Sequence, residues 1–135
     1  MKRILVGTDT SASADLAVQH AADLARAQDA ELTILYVRPA ADGREVFDPN
    51  RLPDPDGYLA KMMGRFPRVK VHTVVRTGDP AKQICDVAQH EGTDVIVVGN
   101  RGVHGRRRFF AGSVPTEVVH HAPCSVLVVD TRVAQ

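Results

Sequence analysis

Short, β-branched apolar runs alternate along this chain with segments whose apolar residues recur at helical spacing. The apolar runs predict strands at residues 4–6, 31–37, 69–75, 94–98 and 125–129. Strands that alternate with helices pair in parallel, and the helices then cover the faces of the sheet. The sequence therefore predicts an α/β fold: an open five-stranded parallel sheet with helices on both faces, of the Rossmann-like kind.

Capping residues predict where the helices begin and end. Asp79 followed by Pro80 is typical of a helix start, and Gly92 is typical of a helix end. The helix expected at residues 58–65 is the least regular, because glycine lowers helix propensity. The predicted helices cover residues 14–28, 58–65, 79–92 and 113–121, and the proline-rich residues 40–55 are expected to form a surface loop.

The composition fits one globular domain spanning residues 1–135. Because 44% of the residues are hydrophobic and 24% are charged, the chain can bury a core without disulfides or metals. The formal net charge of +1 gives no reason to expect a nucleic acid or membrane partner. Cys85 and Cys124 lack metal-type spacing and are typical of reduced thiols. No apolar run approaches the roughly 18 residues of a membrane span, so a cytoplasmic protein is expected.

A glycine-spaced segment begins where the fourth apolar run stops. Gly99, Gly102, Gly112 and Ser113 have the spacing Gly-x2-Gly-x9-Gly-Ser. Glycines let a backbone approach a ligand closely, and the serine is a good N-cap for the following helix, whose N-terminal dipole attracts anions. This glycine track therefore predicts a phosphate site, with Arg101 as a nearby positive charge. A flexible loop followed by a helix cap is the alternative.

The expected topology places the track opposite an acidic residue. Ligands of open parallel sheets bind at the carboxyl ends of the strands, where the strand order reverses. If the first and fourth strands are neighbours, Asp9 and Gly99 face one crevice. The two common nucleotide fingerprints, G-x-x-x-x-G-K-[ST] and G-x-G-x-x-G after the first strand, are absent from the sequence. A response-regulator receiver needs a second acidic residue at the end of its third strand. Residues 76–78, which stand there in this chain, are arginine, threonine and glycine, so that class is excluded.

These residues together resemble the universal stress protein family over nearly the whole chain. The resemblance rests on Asp9 after the first strand and on residues 77–80, 97–102, 112–114 and 121–129. The glycine spacing is similar to that of the family's ATP-binding branch. The resemblance implies an adenine nucleotide alpha hydrolase-like fold and a stress-response protein that binds ATP, with Mg or Mn at the phosphates. It also implies a homodimer joined through the last strands.

The resemblance also implies a role for individual residues. Gly7, Thr8 and Asp9 would face the adenosine, and Val37 would meet the adenine through its backbone. Val98 and Gly99 would line the ribose and the α-phosphate. The phosphate chain would be held by Gly102, Gly112, Ser113 and Val114, with Arg101 beside it. Thr10, Asn100 and Pro115 depart from the family pattern, in which glycine, a small hydroxyl residue and alanine are frequent.

Several alternatives stay open at this point. Asp9 is also a candidate N-cap for the first helix. No catalytic base is evident, so a non-enzymatic regulator is expected, although slow ATP hydrolysis or nucleotidyl transfer would need little beyond positioned charge. An interaction module with a vestigial site is a third hypothesis. His120 and His121 are adjacent and point apart on a helix, so no metal site is predicted. Residues 106–108, three arginines, lack the aromatic pattern of a nucleic-acid site.

Overall fold

The computed structural model describes residues 1–38, 55–100 and 113–131. Nine elements occur in these ranges: β1 (Arg3–Thr8), α1 (Ala12–Gln28), β2 (Glu31–Arg38), α2 (Pro55–Arg65), β3 (Val71–Thr77), α3 (Pro80–Glu91), β4 (Val95–Gly99), α4 (Ser113–His121) and β5 (Ser125–Val129). The predicted bounds of α4 and β5 are confirmed, and so is the end of α1. Most of the loop predicted at residues 40–55 lies outside the described residues.

The five strands form one parallel sheet with the order β3-β2-β1-β4-β5. The chain builds outward from β1 to β3 and then crosses back to the other side of β1, where β4 pairs with it. Val6 of β1 is in register with Ile34 of β2 and with Val97 of β4. The predicted fold class is therefore confirmed, and the strand order reverses between β1 and β4.

The core divides into two layers, because successive strand residues face opposite sides of the sheet. One layer packs against α1 and α2 and includes Val6, Ile34, Val97, Val18 and Leu59. The other layer packs against α3 and α4 and includes Leu5, Leu35, Ile96, Ile84 and Val118. Alanines 17, 21 and 25 on α1 are almost fully buried, so this helix lies close to the sheet.

Local capping explains most of the element bounds. Asp79 accepts from the Lys82 N–H at 3.0 Å, and Gly92, with a φ of 67°, is the C-cap that follows the last residue of α3. β3 is displaced from its prediction: it runs from Val71 to Thr77, two residues later at each end. Pairing with β2 decides these bounds, since Leu32 aligns with Val71 and Arg38 with Thr77. None of the helices in the described ranges is long and apolar enough to cross a membrane.

Candidate functional site

The carboxyl ends of the parallel strands meet at one edge of the sheet, which we call the carboxyl edge. Thr8 at the end of β1 is in register with Tyr36 of β2, and β4 ends beside β1 at Gly99. α4 follows β4 and begins at Ser113, so its N-terminus also lies at this edge. β1 and β4 are neighbours, which is the condition that the expected crevice requires, so Asp9 and Gly99 lie at the same edge of the sheet, at the switch point.

The turn after β1, residues 8–11, is held by its own side chains. Thr8 is fully buried and Asp9 is 6% exposed. Thr8 Oγ1 accepts from the Thr10 N–H at 3.0 Å, and Asp9 Oδ1 accepts from the Ser11 N–H at 3.0 Å. Ser11 is the N-cap of α1, because its hydroxyl accepts from the Ala14 N–H at 3.0 Å. The alternative that Asp9 caps the helix is therefore wrong, and its carboxylate is a buried polar group at the carboxyl edge.

Thr10 occupies an unusual backbone conformation in this turn. Its φ is 69°, in the left-handed region that glycine adopts without strain and that β-branched residues rarely adopt. This geometry explains why a glycine suits the position in the family pattern. The two hydrogen bonds of the turn hold Thr10 in place, and the strain is concentrated beside two predicted ligand residues, Thr8 and Asp9.

Gly99 lies close to the side chain of Thr131, a residue that is distant in the sequence. A Cβ at Gly99 would lie 2.8 Å from Cγ2 of Thr131, closer than real side chains approach each other. Thr131 itself is fully buried. The sequence assigned this glycine to ligand approach, and the structure adds a packing reason that the sequence did not indicate.

Apolar residues that were assigned to the ligand lie in the layer that packs against α3 and α4. Val37 is 6% exposed, Val98 is fully buried and Val114 is 7% exposed. All three belong to one buried cluster with Leu5. Their side chains therefore belong to the core, which leaves the backbone for any ligand contact; the contact of the Val37 backbone with adenine stays a prediction. Gly7 is buried at the end of β1.

The remaining predicted site residues are not brought together by the described part of the chain. Arg101, Gly102 and Gly112 lie outside the described residues, as do the side chain of Ser113 and the arginines 106–108. Ser113 is the first residue of α4, so the prediction that it is the N-cap of this helix is wrong. The assignments of these residues to phosphate binding stay predictions.

A polar network that no sequence pattern indicated links α2 to α1, the helix that follows the turn after β1. The Tyr58 hydroxyl donates to Asp15 Oδ1 at 3.0 Å, and Asp15 lies in the first turn of α1. Arg65 donates to the same Asp15 oxygen at 2.6 Å. Burial alone would raise the pKa of Asp15, but hydrogen bonds from Arg65, Gln19 and Tyr58 outweigh it and lower that pKa. Burial, reinforced by the Asp15 charge, raises the pKa of Tyr58, which stays a donor.

Other reactive side chains lie away from the carboxyl ends of β1 and β4. Cys85 lines an open cleft of about 390 Å³ between α3 and α4. Burial raises the pKa of Cys85 and of Cys124, so both thiols are protonated at neutral pH. His120 and His121 are exposed at the end of α4. Among the described residues, no group of three or more His, Cys, Asp or Glu could hold a metal ion.

The described residues define an α/β protein with buried polar groups at the switch point of a parallel sheet. Residues 1–130 match the model of the universal stress protein family, and the chain belongs to that family. Universal stress protein MJ0531 of Methanocaldococcus jannaschii is 34% identical over 140 residues, which cover 95% of this chain and 81% of the relative.

Two solved structures of universal stress proteins match the fold of this chain. UspA from Lactobacillus plantarum is 30% identical with a TM-score of 0.71, and the match covers 95% of this chain and 97% of that one. A universal stress protein in complex with cAMP is 25% identical with a TM-score of 0.76, and the match covers 97% and 98% of the two chains.

Proposed function

We propose that this chain is a regulatory member of its family that binds an adenine nucleotide at the carboxyl edge. ATP, with Mg or Mn at its phosphates, is the proposed ligand, and a homodimer joined through β5 is the proposed assembly. The observation that carries the proposal is the position of buried Thr8 and Asp9 opposite Gly99 at the switch point. A relative of the same fold was crystallised with cAMP, which supports an adenine nucleotide as the ligand class.

The chemistry of this edge suits the proposed ligand. A buried carboxylate accepts from sugar hydroxyls, and Asp9 uses one oxygen within its own turn, so the other oxygen is the proposed ligand acceptor. The N-terminus of α4 lies at the same edge and supplies a positive dipole for phosphate. A divalent cation would neutralise the phosphate charge there when ATP is bound.

Calorimetric titration tests the ligand class. ATP, AMP and cAMP are titrated separately into purified protein, with and without Mg, after mass spectrometry has shown whether a nucleotide co-purifies. We expect ATP to bind most tightly and to gain affinity from Mg. Absence of heat with all three ligands at high micromolar concentration, together with no co-purified nucleotide, would overturn the proposal.

Matched variants test the location of the site. Asp9→Asn keeps the acceptor for the Ser11 N–H but removes the charge, so we expect a folded protein with roughly tenfold weaker nucleotide binding. Asp79→Asn makes the same change at the N-cap of α3 and is expected to leave affinity unchanged. Gly112→Val and Ser113→Val test the phosphate end. Unchanged affinity in all three site variants contradicts the assignment.

The dimer proposal rests on the edge strand. Leu127 is 42% exposed and Val128 43% exposed on β5. This strand is the last in the order of the sheet, and one of its edges has no partner strand among the described residues. Pairing with a second copy would cover these side chains. We expect light scattering after gel filtration to give a dimer for the wild type and a monomer for Leu127→Glu. A monomeric wild type would remove this part of the proposal and leave nucleotide binding untouched.

A further inference from the structure

The two strands at the switch point separate before they reach the carboxyl edge. Among the described residues, the register of β1 with β4 covers Ile4 to Val6 and ends there. On their other sides the same strands stay paired to their ends, β1 with β2 up to Thr8 and β4 with β5 up to Gly99. β1 and β4 therefore diverge at the carboxyl edge, and the opening between them is part of the proposed nucleotide site.

Thr131, which follows β5, lies across this opening. On the side of β4, its N–H donates to Asn100 Oδ1 at 3.0 Å, and its side chain lies against Gly99. On the side of α1, its carbonyl accepts from the Ser13 hydroxyl at 3.0 Å. Thr131 is fully buried between these contacts. We call Ser13 and Thr131 the C-terminal tether, because together they connect the first turn of α1 with the end of β4.

Local hydrogen bonds fix Asp9 to the α1 end of the C-terminal tether. Asp9 Oδ1 accepts from the Ser11 N–H, and the Ser11 hydroxyl accepts from the Ala14 N–H in the first turn of α1. Ser13 belongs to the same turn. A displacement of the start of α1 away from β4 would carry the Asp9 carboxylate with it. Because the tether opposes this displacement, it sets the distance between Asp9 and Gly99.

We propose that Ser13 is a positioning residue for the sugar of the nucleotide. It acts through Thr131, by holding Asp9 at a fixed distance from the end of β4, and does not itself contact the ligand. Asp9 is the proposed acceptor for the sugar hydroxyls, and a hydrogen bond weakens steeply when its distance or angle is wrong. This inference rests on the proposed function and adds to it a determinant of sugar recognition that lies outside the ligand contacts.

The test compares ATP with dideoxy-ATP, which lacks both hydroxyls of the sugar ring. Both are titrated calorimetrically into the wild type and into Ser13→Ala, which removes the donor to the Thr131 carbonyl. We expect the wild type to prefer ATP, and we expect this preference to fall about fivefold in Ser13→Ala. The loss is expected in ATP affinity alone, because dideoxy-ATP has no ring hydroxyl to donate to Asp9.

Two variants of the same shape isolate the hydroxyl of Ser13. Ser13→Thr keeps a donor for the Thr131 carbonyl and is expected to keep the wild-type preference for ATP. Ser13→Val has the shape of threonine without the donor, so it is expected to lose the preference as Ser13→Ala does. The comparison of these two variants decides the test if thermal unfolding shows that Ser13→Ala does not fold.

A hydroxyl away from the carboxyl edge provides the matched control. Thr33 Oγ1 donates to Glu91 Oε1 at 3.0 Å, the same length as the bond of the C-terminal tether, and it also joins a strand to a distant helix residue. Thr33→Val removes this bond and is expected to leave the preference for ATP unchanged.

Five outcomes overturn the inference. The wild-type preference in Ser13→Ala and Ser13→Val removes the role of Ser13 and leaves the proposed function intact. An equal loss of both affinities assigns the C-terminal tether to stability alone. A fall in Thr33→Val as large as in Ser13→Ala shows that the effect is not specific to the tether. A wild type that binds both ligands equally shows that Asp9 does not recognise the sugar, and one that binds neither removes the proposed function as well.

Discussion

The two chain exits that border the proposed site differ in how far their hydrogen bonds reach along the sequence. In the exit from β1, Thr8, Asp9 and Ser11 each accept from an N–H two or three residues ahead. In the exit from β4, Asn100 is bonded to Thr131, 31 residues away, and Ser13 is bonded to the same Thr131 across 118 residues. The first exit can form with α1 alone, whereas the second requires the sheet and the C-terminal segment together.

The largest expected effect is at the β4 exit. Gly99→Ala places a Cβ 2.8 Å from Thr131 Cγ2, and the fully buried threonine has little freedom to move away. We expect a loss of about 2 kcal/mol in the free energy of unfolding, measured by urea denaturation. Gly64→Ala is the control, because Gly64 is exposed in α2 and a methyl group added there would have no atom within 4 Å; it is expected to gain up to about 1 kcal/mol.

Thr131→Ser sharpens this prediction, because it removes Cγ2 and keeps the hydroxyl that donates to Asn100. In the double variant Gly99→Ala/Thr131→Ser, the loss in the free energy of unfolding is expected to be about 1 kcal/mol smaller than the sum of the losses in the two single variants. Strict additivity would show that the crowding at Thr131 is not the cause of the loss, and the β4 exit would then depend on distant segments less than we infer.

Ser11 and Ser13, which flank Ala12, allow the two exits to be compared by the same substitution. Ser11→Ala removes the N-cap of α1 and is expected to cost about 1 kcal/mol in the free energy of unfolding. Ser13→Ala removes the bond to the Thr131 carbonyl, but alanine also favours the first turn of the helix, so the net change is expected to stay within about 0.5 kcal/mol. Denaturation curves in which Ser13→Ala costs more than Ser11→Ala would reverse the comparison.

The same contrast explains what the sequence could predict. The helix start set by neighbouring residues was predicted at Asp79 and Pro80, because a cap and its N–H partners lie within one turn. The adjacency of β1 and β4 was foreseen as a condition of the site, and the sheet order fulfils it. Strand composition, in contrast, does not distinguish the buried β4 from the exposed β5.

Contacts between distant residues were not predictable. Asn100 was interpreted only as a departure from the family pattern. Its hydrogen-bond partners were missed because they lie 30 and 31 residues away and no local spacing indicates them. The hydroxyl of Tyr58 was likewise missed: its helix could be inferred from apolar spacing, but its bond to Asp15 crosses 43 residues. Both contacts form only where packing brings segments that are distant in the sequence next to each other.

The backbone strain at Thr10 in the β1 exit predicts that a glycine at this position stabilises the protein. Thr10→Gly relieves a β-branched residue at a φ of 69°, although glycine also gains entropy in the unfolded chain. We expect a net stabilisation of about 0.5 kcal/mol in urea denaturation. Asp29→Gly, at a φ of 53° after α1, is expected to change less, because aspartate tolerates this region better. Destabilisation by Thr10→Gly would show that the threonine side chain contributes to the turn more than its strain costs.

The smallest effect concerns Asp15, through which α2 reaches the β1 exit. The pKa of Asp15 is lowered in the folded protein, so its carboxylate stabilises the fold above the unfolded pKa of about 3.9 and loses that contribution as the pH falls below it. Because Arg65 and Asp15 are 34% and 23% exposed, we expect only about 0.5 kcal/mol at pH 7. Urea midpoints of the wild type and Asp15→Asn should therefore differ at pH 7 and converge near pH 3. A constant difference between these pH values would mean that the Asp15 charge does not couple α2 to this exit, and the β1 exit would then be as local as its hydrogen bonds suggest.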